Sequence, residues 1–488
     1  MKYQSTRNRA LTASPAAAVL RGIAPDGGLY MPEAIPVLNW QSLLAADTLT
    51  LSARILSALL PDYPDMDGLV RRGYAGKFET EELTHLVKVG DRYVLELFRG
   101  PTSAFKDVAL SLLPQLISQA RTLENIRDEM LILTATSGDT GKAALEGFHD
   151  VPGTKIIVFY PYGGVSAVQQ AQMVTQEGAN VKVCAVRGNF DDTQTGVKQI
   201  FASCDEEDLP GLRLSSANSI NIGRLAPQIV YYFKAYADLV RCGRIRVGEP
   251  VHFCVPTGNF GDILAGYFAK RMGLPVGRLI CASNRNDVLT DFLSTGVYDK
   301  RRTFYKTTSP SMDILVSSNL ERLLSLLTGD DSYVASLMKD LNEQGHYKVT
   351  EELLRKLQSE FSCGCCDDDA AGRTIGKVWA REKYLLDPHT AVAWTVADQF
   401  SHTHHDGAPV VVLSTASPYK FPAAVLSALG QRVSDDEFAV MDDLHACTGV
   451  PVPKNLAALR EKPVRHRDVI DREDMLSYVL RKAGEKQW

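Results

Sequence analysis

From about Glu96 onward, short apolar runs alternate with amphipathic stretches along the chain. MLILTAT (130–136) predicts a buried strand, and TGKAALEGF the helix after it. KIIVFYP (155–161) and NVKVCAV (180–186) predict two more strands, each followed by a helix, SAVQQAQMVTQEG and FDDTQTGVKQIFAS. VHFCVP (251–256), LICAS (279–283) and PVVVLST (409–415) extend the series. Strands that alternate with helices of this length predict parallel βαβ units covered on both faces, so the fold class is α/β.

The rhythm differs elsewhere. Residues 1–90 carry helix-like patterns broken by Pro and Gly, as in APDGGLYMPEAIP, with a helix expected over Leu51–Leu60. Between about 310 and 385 the text turns helical and charged (NLERLLSLL, SYVASLMKDL, EELLRKLQSEF), and from about 430 it reads as short helices with a Lys/Arg-rich tail. The expected divisions are an N-terminal domain over 1–90, a catalytic α/β region over 91–310, a helical subdomain or insertion over 311–385, and a part completing the catalytic lobe over 386–488.

Composition narrows the class. The 488 residues are 45% hydrophobic and 23% charged, the profile of a globular protein. Lys+Arg 53 against Asp+Glu 58 gives a net charge of −5, which argues against general nucleic-acid binding. No apolar run approaches the ~18 residues of a membrane helix, and the first residues lack the compact hydrophobic block of a signal peptide. Nine cysteines, scattered and partly inside apolar strands, suit a reducing cytoplasm.

Ligands of an α/β sheet bind where strands run into helices, and three such junctions carry chemistry. In VPTGNFGDILAGYF, the turn Gly258-Asn259-Phe260-Gly261 opens a helix; glycines admit a ligand to the backbone and helix-start amides attract anions, here a phosphate, although a plain tight turn reads equally well. It has neither GxGxxG nor the GK[ST] of a P-loop, so no dinucleotide or nucleoside triphosphate is indicated. In TATSGDTGKAALEGF, Ser137, Gly138, Asp139 and Thr140 can present amides to a carboxylate, where capping alone accounts for one residue. In ELFRGPTSAFKDVALSLL, Lys106 lies between Phe105 and an apolar face; desolvation there disfavours the ammonium and makes the amine a nucleophile, whereas an isolated lysine usually lays its stem on apolar surface with its head in water, and the company of two anion-binding turns sets Lys106 apart. A Schiff-base lysine, a phosphate cradle and a carboxylate loop are the parts that pyridoxal 5'-phosphate and an amino-acid substrate need.

The strings GPTSAFKD, TSGDTGKAA, SSANSINIGRL, PTGNFGDI, SPSMDI, DPHTAVAW and STASPYKFP together resemble the threonine synthase family, in its longer branch, over nearly the whole chain. These pyridoxal-phosphate enzymes convert O-phospho-L-homoserine and water to L-threonine and inorganic phosphate. The resemblance implies the fold-type II architecture, two parallel-sheet lobes with the cofactor in the cleft and an added N-terminal domain. It implies that Lys106 bonds the cofactor, that Gly258, Asn259, Phe260 and Gly261 hold its phosphate, that Thr415 faces its pyridine nitrogen, and that Asp139 lies beside its ring. Ser137, Gly138 and Thr140 are implied at the substrate carboxylate. Asn218, Ser219, Asn221 and Arg224 are expected at the substrate phosphate, with a helix-capping role close behind. The expected partner is a small-molecule substrate, with no nucleic acid, membrane or metal, in a monomer or homodimer.

Two departures stand out. The family commonly has Leu where this chain has Ser103, and STAHPAKF where this chain has Ser417 and Tyr419. Lys142 can assist an anion or face solvent, and His389 sits at a helix start near the expected cleft or packs there. Cys363-Gly364-Cys365-Cys366 lacks a second Cys/His pair at zinc spacing and is expected in a surface loop. His402, His404 and His405 are expected to end a helix before Gly407. Two alternatives stand beside synthase activity: a phospholyase releasing phosphate and a keto acid, and a silent paralogue that binds pyridoxal phosphate or a phospho-amino acid.

Overall fold

A computed structural model describes residues 1–204, 207–485 and 488 of the chain. Two largely parallel sheets organise it. The five-stranded sheet runs Asp468–Asp471, Val181–Arg187, Thr154–Pro161, Glu129–Ala135, Leu212–Ser215, all neighbours parallel. The six-stranded sheet runs Phe361–Cys365, Val276–Ser283, Val251–Pro256, Val410–Ser414, Arg92–Glu96, His85–Val89. Only its last pair is antiparallel. Leu131, Ile132 and Leu133 are all fully buried, as a strand covered on both faces requires. A small antiparallel sheet of Tyr3–Ser5, Thr12–Ala13 and Tyr30–Pro32 lies in the N-terminal part, where Thr48–Leu59 forms the expected helix.

Sequence and structure part at one edge of each large sheet, among other places. The interval expected to be helical carries the strand Phe361–Cys365, which adds in parallel to Val276–Ser283, so Cys363 and Cys365 belong to a sheet edge and not to a loop. Its FSCGC text lacks a run of branched residues; pairing to the neighbouring strand imposes the conformation. The C-terminal part likewise supplies Asp468–Asp471 to the other sheet.

Close packing then brings two short helices together. The helix Lys106–Leu110 lies against Asp139–Phe148, whose Gly147 sits so near the Leu110 carbonyl that a Cβ there would be 1.9 Å away. This contact fixes Lys106 and Asp139 relative to one another.

Candidate active site

Lys106 follows a loop built around its neighbour Asp107. The buried Asp107 carboxylate accepts from the Thr102 amide at 2.9 Å and from the Thr102 hydroxyl, closing Gly100–Phe105 on itself. Gly100 permits this, because a Cβ there would meet Asp107 at 2.5 Å. Burial pushes the Asp107 carboxyl up to about 6, against the Thr102 hydrogen bonds. The loop runs beside the end of the strand Val410–Ser414: the Phe105 amide donates to the Thr415 carbonyl at 2.8 Å, and the Ser417 amide to the Ser103 carbonyl at 3.1 Å. Ser103 holds φ 60 and its hydroxyl bonds the Asn455 side chain, a contact that a leucine could not make.

The Lys106 ammonium is buried, as the apolar text around it predicts. Burial draws its pKa down to about 8, with Lys420 and Arg224 lowering it further and Asp139 and Asp107 opposing. Its Nζ donates to Ser311 Oγ at 3.3 Å and lies 3.7 Å from Asp139 Oδ2. The other Asp139 oxygen accepts from Lys420 Nζ at 2.7 Å and Gln169 Nε2 at 3.0 Å. Against the effect of burial, Lys420 and Lys106 hold Asp139 ionised, well below the usual carboxylate range. The structure therefore brings Lys106, Asp139 and Thr415 together. It adds Lys420, Ser311 and Gln169, which the sequence reading did not single out.

The Gly258–Gly261 turn lies at the end of the strand Val251–Pro256 and opens the helix Gly261–Arg271, whose first turn no side chain caps. Phe260 is in the left-handed region at φ 62, a strained position for an aromatic residue. Its buried ring packs on Phe361 at 5.6 Å, which holds the conformation. Ser317 Oγ and Asn319 Nδ2 donate to the Gly258 and Asn259 carbonyls at 2.8 and 3.1 Å. The Ser137–Thr140 turn is also uncapped at Gly138, which has φ 140. Thr136 Oγ1 accepts from the Gly138 and Gly141 amides and shapes the turn from within.

Arg224 is buried, its guanidinium reaching the Ala217 carbonyl while Nε has no partner within the chain. Such a nitrogen is a donor left to spare at this position. Asn221 is engaged otherwise: its side chain accepts from the Gly223 amide at 2.9 Å and donates to the Val19 and Ser216 carbonyls, so it caps the helix and tethers the N-terminal part. Asn218 and Ser219 are half-buried on the turn before it. Lys142 does not face solvent; its ammonium meets Glu146 at 2.9 Å and Gln176. Ser417, in place of the family's histidine, caps the turn Pro418–Lys420 through the Tyr419 amide. Among the described residues no cluster suited to a metal ion occurs.

An uncapped glycine turn, a buried amine and an arginine with one donor to spare fit pyridoxal phosphate with an anionic substrate. Family comparison agrees. A model for pyridoxal-phosphate dependent enzymes matches residues 78–416, one for the threonine synthase N terminus matches 2–88, and one for the threonine synthase C-terminal region matches 390–479. The chain belongs to the threonine synthase family. It is 41% identical to the threonine synthase of Pseudomonas aeruginosa over 446 residues, 88% of this chain and 91% of that protein. It is 40% identical over 432 residues to human threonine synthase-like 1, covering 84% of this chain and 57% of that longer protein. A crystal structure of pyridoxal-phosphate-bound threonine synthase from Brucella melitensis superposes with a TM-score of 0.88 at 38% identity, over 99% of this chain and 100% of that one. The fold is thus fold-type II, and the cofactor is pyridoxal phosphate.

Proposed function

We propose that this member of the family is a threonine synthase, converting O-phospho-L-homoserine and water to L-threonine and inorganic phosphate. The observation that carries the reading is the buried Arg224, with its unpaired Nε, near enough to Lys106 for its charge to disfavour the ammonium. An anion donor in the surroundings of the reacting amine supports a phosphorylated substrate. When bound, the cofactor supplies an electrophilic aldehyde and an electron-accepting ring. Lys106 attaches it and, as a free amine, takes and returns the substrate protons. The Gly258–Gly261 amides hold the cofactor phosphate, and Thr415 meets the pyridine nitrogen as a neutral partner. Amides of Ser137, Gly138 and Thr140 hold the substrate carboxylate. Arg224, with Asn218 and Ser219, holds the substrate phosphate until it leaves. Cysteines buried within strands, such as Cys254 and Cys281, fit a reducing cytoplasm.

The chain is as similar to threonine synthase-like 1 as to the synthases, and the second reading is a phospholyase. Phosphate and threonine quantified together from O-phospho-L-homoserine separate the two. Equal amounts support the synthase; phosphate with a keto acid means a phospholyase; neither product, from a yellow protein, overturns the substrate assignment.

A further inference from the structure

We propose that Lys420 is an electrostatic positioning residue for Lys106: seated on Asp139, its charge offsets the carboxylate that would otherwise hold Lys106 as an ammonium, and so keeps the Lys106 amine available to a carbonyl group. The inference rests on Lys106 being the residue that attaches the cofactor.

Lys420 is fully buried on the turn Pro418–Lys420. Its ammonium has two acceptors, Asp139 Oδ1 at 2.7 Å and the Thr102 carbonyl at 3.0 Å. A buried ammonium and a buried carboxylate are each costly alone, so the two are retained as a pair. Asp139 thereby stands between two lysines. Lys420 takes the short contact, and Lys106 is left at 3.7 Å with a weaker attraction. Without Lys420, the full carboxylate charge would fall on Lys106 and lock it as an ammonium, which cannot attack an aldehyde.

The groups around Lys106 come from several elements. Asp139 lies on the helix Asp139–Phe148, Lys420 on its turn, Arg224 on the helix Ile222–Leu225, and Asp107 on the helix of Lys106 itself. Asp262, at the start of the helix Gly261–Arg271, also feels the Lys106 charge. The hydroxyl of Ser311 and the Phe105 ring, 4.9 Å from Nζ, complete the surroundings. Of these, Lys420 is the cation that pairs directly with Asp139.

The test uses the full chain freed of cofactor, mixed with pyridoxal phosphate, and follows the growth of visible absorbance as a function of pH. Wild type is expected to show a midpoint near the Lys106 value of about 8. Lys420→Met should move the midpoint up by about one pH unit, Asp139→Asn should move it down, and Lys420→Arg should follow wild type. If Lys420→Met does not fold, the double variant Lys420→Met/Asp139→Asn, which leaves no unpaired buried charge at this pair, should lie above Asp139→Asn alone. A midpoint unmoved or lowered in Lys420→Met, one moved alike by Met and Arg, or a double variant no higher than Asp139→Asn, overturns the proposal. Borohydride fixation with peptide mapping separates the two readings. A label on Lys420 overturns the Lys106 assignment itself, and a label on Lys106 with unmoved midpoints overturns only the role of Lys420.

Discussion

His389 Nε2 accepts a hydrogen bond from the Ser311 amide at 3.2 Å, and the Ser311 hydroxyl in turn receives the Lys106 ammonium. The opposite ring nitrogen, Nδ1, faces Asp387 Oδ1 at 2.8 Å, which fixes the tautomer with the proton on Nδ1. His389 thus stands one residue removed from Lys106 and sets the Ser311 loop. A second tether comes from Asn284, whose Nδ2 donates to Ser309 Oγ at 3.0 Å and Asp313 Oδ1 at 2.8 Å. His389→Ala leaves the Ser311 amide and the buried Asp387 without this partner. Denaturant unfolding should show a loss of about 1–3 kcal/mol; an unchanged midpoint would remove the tether from the account.

Lys106→Ala is expected to keep the fold, since the residue contributes one hydrogen bond and one long ion pair. Turnover should fall on the order of 10³-fold or more, and the yellow colour of the bound cofactor should vanish. Phosphate release and a visible spectrum check both; normal turnover would sink the assignment.

Much of this site was legible because strand-to-helix junctions leave a local mark. The 134–148 and 255–268 segments read as strand, turn and helix from their own residues, and both turns lie where expected. Ser311 and Lys420 left no such mark. Ser311 meets Lys106 across 205 residues and Lys420 meets Thr102 across 318, separations that only the tertiary fold brings together. The text PYKFP did carry a cue, a lysine set next to an aromatic residue as Lys106 is in AFKD. Asn221 shows the converse. An asparagine at a helix start reads as ligand or cap, and the Val19 and Ser216 carbonyls, which no local pattern reveals, decide for the cap.

Arg224 is expected to act on the phosphate of the substrate and not on that of the cofactor. Arg224→Gln should raise KM for O-phospho-L-homoserine by roughly ten- to a hundredfold, the worth of a hydrogen bond to a charged group, about 1.5–3 kcal/mol. Steady-state phosphate release gives KM, and a parallel titration with pyridoxal phosphate should show cofactor affinity little changed. Loss of cofactor affinity with KM unchanged would reverse the assignment.

Asp262 carries a pH signature. Its Oδ1 accepts from Tyr231 and Tyr232 at 2.6 and 2.8 Å, its Oδ2 has no partner, and burial pushes the carboxyl up to about 6. Because the folded value lies above the unfolded one, the folded chain binds more protons between about pH 4 and 6. The contribution of Asp262 to stability is therefore present below about pH 4 and lost as pH rises through about 6. Asp262→Asn keeps the Oδ1 acceptor and removes the charge, so it should stabilise the chain at pH 7 by on the order of 2 kcal/mol and by little near pH 4. Urea unfolding at both pH values checks the sign; a gain larger at the lower pH contradicts it.

Gly258 is the position where the Gly258–Gly261 turn, proposed to hold the cofactor phosphate, and the Ser311 loop touch. A Cβ at Gly258 would lie 2.7 Å from the Ser311 carbonyl oxygen, a backbone atom that cannot swing aside. Neither loop is free to give way: Ser317 and Asn319 hold the Gly258 and Asn259 carbonyls, while His389 holds the Ser311 amide. Gly258→Ala must displace one of them, at a cost of about 1–3 kcal/mol as for other overpacked sites. If the turn moves, its amides no longer converge on the phosphate and pyridoxal phosphate binding should weaken by about tenfold or more, since 1.4 kcal/mol corresponds to a factor of ten. If the Ser311 loop moves, affinity persists while Lys106 loses its hydroxyl partner, and the pH dependence of cofactor attachment shifts. Cofactor titration and the pH profile of attachment, measured on this one variant, tell which loop is the stiffer. Wild-type values in both would show that the contact is softer than its geometry implies.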